Sequence, residues 1–279
     1  MYRITAVNGN LIIKNLENFD LAQTLDCGQA FRWKSDDGVK WQGVAHGRLM
    51  TLYKNGAGDL IIENTGIDEF NKIWKSYFDF DRDYAKIITE IGADPILKKA
   101  AEYSGGIRIL NQDPWETLCS FIISQNNNIP RIKGIIDRLC ENFGEKREGF
   151  FTFPTADIIA KCSLDELEVL RSGFRAKYIL DAAKKVSSGE VDLNALKDMP
   201  LDEARENLMK INGVGPKVAD CVLLFSLCHI DAFPRDVWIN RTMQVLFNNE
   251  FPPAAAQYAG IAQQYLFYYA RSTKLEDIK

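Results

Sequence analysis

The chain has 279 residues, of which 46% are hydrophobic and 26% charged, with a formal net charge of −4. That is enough apolar material for one large core or two moderate ones, so wholesale disorder is excluded and a compact protein of two or three subdomains is expected. The mild acidic balance argues against nucleic acid as a partner, because phosphate neutralisation usually rests on a basic excess, although local cations and backbone amides suffice to grip a short stretch of DNA.

The opening Met1-Tyr2-Arg3-Ile4-Thr5 lacks the basic-then-apolar pattern of a secretory leader, and no apolar run approaches the length of a bilayer span. A soluble, intracellular protein is therefore expected. Asn8-Gly9 is placed to turn an opening hairpin. Strand-like runs follow at Phe31-Arg32-Trp33, Trp41-Gln42-Gly43-Val44, Leu49-Met50-Thr51-Leu52-Tyr53 and Leu60-Ile61-Ile62. They are separated by Asp36-Asp37-Gly38, His46-Gly47 and Asn55-Gly56, the pattern of an antiparallel meander.

From Ile67 onward the period is helical to the end apart from short turns. Ile132, Ile135, Ile136, Leu139, Cys140 and Phe143 form one apolar stripe. Ser163-Leu164-Asp165-Glu166 has the form of a capping box that opens a helix, with Gly173 placed to close it. The expected class is α+β: an N-terminal antiparallel β domain with flanking helices over 1–106, then a larger helical domain over 107–279.

The six cysteines (27, 119, 140, 162, 221, 228) include no C-x-x-C pair, so reduced, mostly buried thiols are expected rather than a disulfide framework or zinc site. With only His46 and His229 available, a histidine-based triad or multi-histidine metal centre is poorly supplied. No metal site is expected from side chains.

The stretch from Ala204 to Phe247 carries the chemistry. Ala204 to Ile211 reads as a helix, Asn212-Gly213-Val214-Gly215-Pro216 as a tight hairpin, and Lys217 to Cys228 as an apolar second helix. Gly213 and Gly215 let the chain turn sharply and another backbone approach, while free N–H groups opening the second helix point outward as anion ligands. A DNA phosphate is the natural occupant, although a purely structural turn fits the hairpin alone as well. Lys217 opens the second helix, and Asp236 follows in Phe233-Pro234-Arg235-Asp236-Val237, leading into a third helix over Val237 to Phe247.

Here the sequence resembles the helix-hairpin-helix DNA glycosylases, marked by this hairpin followed by a loop carrying an aspartate. In such a site a neutral lysine attacks the anomeric carbon while a carboxylate stabilises the positive charge that develops on the sugar. Desolvation and the positive end of the helix dipole both disfavour the ammonium and so favour the neutral amine that the attack requires. Asp236 is also suited to cap the third helix. The lysine separates this chain from family members that only remove a base, and the lack of any cysteine beyond Cys228 separates it from the iron–sulfur branches.

Three further stretches resemble the 8-oxoguanine DNA glycosylase/AP lyase branch: Cys27 to Trp33, Asn111-Gln112-Asp113-Pro114 with Ser124 to Ile129, and Gly260 to Phe267. By that resemblance the N-terminal sheet is similar to the TATA-binding-protein fold. The Gly28 carbonyl would accept the N7–H that distinguishes 8-oxoguanine from guanine, Gln263 would read the Watson–Crick edge, and Phe267 and Cys221 would cover the faces of the flipped base. Asn126 would fill the gap in the duplex, Arg131 and Arg175 would hold the orphaned cytosine, and Phe174, where the family usually has tyrosine, would wedge the stack. Trp238 departs from the family's phosphate-binding histidine and Ala270 from its acidic partner, so that contact is not carried over.

The resemblance implies a monomeric bifunctional glycosylase and β-lyase acting on double-stranded DNA that contains 8-oxoguanine. It implies no organic cofactor and leaves open a monovalent or calcium ion held by hairpin carbonyls. A non-catalytic hairpin module that binds damaged DNA, and an alkylpurine glycosylase that does not nick, are the alternatives.

Overall fold

The computed structural model describes residues 2–273; Met1 and residues 274–279 lie outside them. The described residues form two compact units, one of residues 2–43, 50–111 and 230–273 and the other of residues 44–49 and 112–229.

In the first unit, Arg3–Val7 (β1) and Asn10–Lys14 (β2) pair antiparallel around Asn8 and Gly9, both at positive φ, the turn that the dipeptide predicts. Leu21–Leu25 (α1), Trp33–Lys34 (β3), Lys40–Ala45 (β4), Arg48–Lys54 (β5) and Leu60–Ile62 (β6) follow. The sheet order is β1-β2-β6-β5-β4-β3, with Leu11 and Leu52 each opposite Ile62 across antiparallel pairs. Alternation turns Leu11, Ile13, Leu52, Leu60 and Ile62 into the core, where each is 0% exposed. The strand expected at Phe31 starts only at Trp33, with Phe31 buried ahead of it. The short α1, capped by the Asp20 carboxylate accepting from Gln23 N at 2.9 Å, was not legible in the β-rich composition around it.

Ile67–Glu69 (α2), a π-helical turn over Phe70–Trp74 and Lys75–Tyr77 (α3) run on without a break. Their aromatics join Phe78 and Phe80 under the sheet, and Trp33 Nε1 donates to the Tyr77 hydroxyl at 2.8 Å. Tyr84–Ile91 (α4) and Pro95–Ser104 (α5) are capped by Asp83 and Asp94.

The second unit holds Pro114–Ser124 (α6), Ile129–Phe143 (α7), Lys146–Arg147 (β7), Phe150–Phe151 (β8), Ala156–Ala160 (α8), Arg175–Ser187 (α9), Leu201–Met209 (α10) and Pro216–Ser226 (α11). The stripe on α7 is buried from Ile132 to Cys140, with Phe143 half-buried at its end. The β7–β8 hairpin corrects the expectation of uninterrupted helix. The capping box forms, Glu166 N donating to Ser163 Oγ at 3.2 Å and Ser163 N to the Glu166 carboxylate at 2.7 Å. It opens a 3-10 turn over Glu166–Leu170 that Arg171 stops at φ 52, before the expected Gly173. Leu167 and Leu170, three residues apart on this turn, are both buried.

The chain then returns to the first unit with Val237–Phe247 (α12) and Ala259–Ser272 (α13), the latter packed on α5. The expected α+β plan, an antiparallel sheet followed by helices, describes the molecule. Among the described residues no helix is long and apolar enough to cross a membrane.

Candidate active site

In the second unit, α10 begins three residues earlier than the sequence suggests and ends at Met209, and α11 begins at Pro216. The connecting hairpin is anchored by Asn212, whose N and Nδ2 donate to the Asp181 carboxylate at 2.8 and 2.9 Å. Gly213 sits at φ +80, and a Cβ there would fall 2.5 Å from the Tyr178 ring, so both backbone and packing require glycine. Gly215 differs from the expectation: it is extended at φ −98 and caps α11, and a Cβ would meet nothing within 4 Å. Open space, rather than a special turn, is what Gly215 provides. Val214 is buried and its N–H donates to the Ile211 carbonyl at 3.0 Å. The N–H groups of Gly213, Gly215, Lys217 and Val218 find no acceptor among the described residues, the array that an anion would satisfy.

The helices flanking the hairpin are locked by Arg205 on α10, whose Nε donates to the buried Asp220 carboxylate on α11 at 2.7 Å. Lys217, half-buried at the second position of α11, has its Nζ 5.2 Å from the centroid of Phe121 on α6. Phe121 in turn stacks on Phe225, at 5.5 Å, so α6 supports the helix that carries the lysine. Cys221 is buried one turn further along α11, on the same face as Lys217.

The residues assigned to the opposite base also lie in this unit, and the structure brings most of them together. Asn126 is exposed at φ +47, Arg131 is exposed in the first turn of α7, and Phe174 is 49% exposed ahead of α9. Arg175 is only 2% exposed. Its guanidinium donates to the carbonyls of Gln125 (3.0 Å from Nε), Ser172 (3.1 Å) and Asn126 (3.0 Å), and lies 4.4 Å from the centroid of the Phe174 ring. Burial, and then the neighbouring charge of Arg131, lower its pKa below the usual arginine value.

In the first unit, Asp236 caps α12 as expected, with Oδ1 accepting from Ile239 N at 2.7 Å. Its other carboxylate oxygen carries no hydrogen bond among the described residues. Gly28, at φ +90, follows α1, and its carbonyl accepts no hydrogen bond among the described residues. Gln263 on α13 is 4% exposed, with Nε2 donating to the Pro234 carbonyl at 3.1 Å while its buried Oε1 has no partner. An unpaired buried acceptor costs about 1–3 kcal/mol, a cost that a donor from water or from a ligand would relieve. Phe267, one turn on, is half-buried with the Arg271 guanidinium 5.3 Å from its ring centroid.

Where the family has its histidine and acid, Trp238 is 47% exposed beside Val237 at 84%, while Ala270 is buried against Ile96, Val245, Leu246 and Tyr269. A carboxylate at 270 would be desolvated among apolar side chains. The supporting residues Phe121, Tyr178 and Pro234 escaped the sequence reading, because each acts on a partner far away in the chain.

The six cysteines are free thiols, and among the described residues no cluster of histidine, cysteine or carboxylate side chains could hold a metal.

The family of the 8-oxoguanine DNA glycosylase N-terminal domain matches residues 11–118, and that of the HhH-GPD superfamily base excision DNA repair proteins matches residues 119–259. The N-glycosylase/DNA lyase of Saccharomyces cerevisiae is 34% identical over 84% of this chain and 69% of its own length. The N-glycosylase/DNA lyase OGG1 of Arabidopsis thaliana is 30% identical over 88% and 76%. The crystal structure of Clostridium acetobutylicum 8-oxoguanine glycosylase/lyase, in complex with double-stranded DNA containing cytosine opposite 8-oxoG, superposes with a TM-score of 0.89. It is 39% identical over 98% of both chains.

Proposed function

The chain belongs to the 8-oxoguanine DNA glycosylase branch of the helix-hairpin-helix superfamily, and on that premise we propose that it excises 8-oxoguanine from duplex DNA and then nicks the strand, needing no organic cofactor. The observation that carries the reading is the buried, unpartnered Oε1 of Gln263. The Watson–Crick edge of a guanine-type base supplies N–H donors to such an acceptor. The open carbonyl of Gly28 suits the N7–H of 8-oxoguanine, whereas guanine would set a bare N7 acceptor against it and leave both unpaired. Phe267 and Cys221 cover the base.

At the sugar, Lys217 attacks C1′ through the lone pair of Nζ, which gives up a proton as the C1′–N bond forms. The bond from C1′ to the base breaks, its electron pair leaving with the base, and the free carboxylate oxygen of Asp236 stabilises the cationic character of the sugar. The resulting aminal opens to a Schiff base, whose electron-withdrawing C=N acidifies the C2′ proton. Loss of that proton expels the 3′ phosphate. The open amides of the hairpin hold a backbone phosphate, and Asn126, Arg131, Phe174 and Arg175 serve the orphaned base. A monovalent or calcium ion on hairpin carbonyls is compatible with this scheme.

The test is to separate base release from nicking on duplexes carrying 8-oxoguanine or 3-methyladenine. The reading predicts release of 8-oxoguanine accompanied by nicking. Binding without release would leave a damage-binding module, and release of 3-methyladenine without nicking would make the chain an alkylpurine glycosylase.

A further inference from the structure

The two acceptors assigned to the flipped base sit on different elements of the first unit, Gly28 on the turn after α1 and Gln263 on α13. Hydrogen bonds weaken steeply with distance and angle, so two such readers discriminate only when their spacing is held. A buried polar brace lies behind them. Gln264, 3% exposed, donates from Nε2 to Cys27 Sγ at 3.3 Å, and Cys27, 1% exposed, donates its thiol to the Thr24 carbonyl at 3.4 Å. Burial pushes the Cys27 thiol up to about 11, so at neutral pH it keeps the proton that it donates.

On the other side of Gly28, the 1%-exposed Gln29 donates from Nε2 to the carbonyls of Thr24 (2.8 Å) and Arg108 (2.9 Å) and accepts from Leu110 N at 3.0 Å. The residues before and after Gly28 are thus both anchored, Cys27 to the helix that carries Gln263. Two apolar side chains would fill the same space without desolvating an amide and a thiol; what the polar pair adds is direction.

We propose that Gln264 and Cys27 are positioning residues for lesion recognition, their contact tying the Gly28 turn to α13 and setting the spacing between the Gly28 carbonyl and Gln263 Oε1. Neither touches the base. The inference rests on the reading of Gly28 and Gln263 given above.

The experiment measures single-turnover release of 8-oxoguanine and of guanine from matched duplexes, nicking of a preformed abasic duplex, and Tm. It compares wild type with Gln264→Met, Cys27→Ala and Cys27→Ser. Gln264→Met removes the donor at similar length, and Cys27→Ala removes the acceptor. Each is expected to lower the ratio of 8-oxoguanine to guanine release about tenfold, the scale of one hydrogen bond. Abasic nicking, which needs no base reading, is expected to stay at the wild-type rate. Cys27→Ser keeps an acceptor and a donor and is expected to restore most of the ratio.

An unchanged ratio in Gln264→Met, or a fall of all activities together in step with Tm, would overturn the proposal. If wild type itself failed to distinguish 8-oxoguanine from guanine, the reading of Gly28 and Gln263 would fall first. If wild type discriminates and Gln264→Met does so equally, only the positioning role fails.

Discussion

The residues assigned to the damaged base and those assigned to its orphaned partner are built differently, each within its own unit. In the first unit the readers are set in advance: Gln263 is 4% exposed and held by Pro234, and the residues flanking Gly28 are 1% exposed. In the second, Asn126, Arg131 and Phe174 are exposed, and Arg175 spends its donors on the carbonyls of Gln125, Asn126 and Ser172. On the proposed assignment, lesion identity would be read by a preorganised wall, whereas the opposite base would be read by side chains that turn outward or exchange partners. A preorganised wall loses function sharply when one atom changes, while the second set should trade selectivity gradually.

The largest effect is expected at the sugar. Asp236→Asn keeps an oxygen for the Ile239 cap but removes the charge, so Tm should hold while single-turnover base release falls about 100- to 1,000-fold. Next, Gln263→Leu removes the buried acceptor and should lower 8-oxoguanine release about 10- to 100-fold with abasic nicking spared, as parallel assays on the two substrates would reveal. Arg175→Ala leaves three carbonyls without their donor and should cost about 2 kcal/mol in urea unfolding. Arg131→Ala, at an exposed position, should change stability by less than about 0.5 kcal/mol and only relax the preference among the four opposite bases. If Arg131→Ala proved as destabilising as Arg175→Ala, the contrast between an open residue and a tucked one would break.

Local signals carried much of this architecture. α12 runs from Val237 to Phe247 as its spacing predicts, because the aspartate cap and apolar stripe are both encoded within a dozen residues. The Asn8-Gly9 turn was legible for the same reason. The capping box at Ser163 was also visible, but it marks only where a turn begins and not whether the turn is 3-10 or α. Periodicity names the face that is buried and never the partner. Gln264 and Cys27 lie 237 positions apart, and Arg175 and Gln125 lie 50 apart, so neither contact had a local signature. Gly215 looked like a second turn glycine and proved to be extended, since composition alone does not separate a left-handed glycine from one left small for an approaching chain.

The central claim is that the amine of Lys217 becomes covalently bound to the sugar. Borohydride reduction during turnover on an 8-oxoguanine duplex tests it directly, since it converts a Schiff base into a stable amine. The account predicts a cross-linked protein–DNA species with wild type, a tryptic fragment carrying the adduct at Lys217, and no cross-link with Lys217→Gln. A cross-link of equal yield in Lys217→Gln, or an adduct mapped to another lysine, would contradict it.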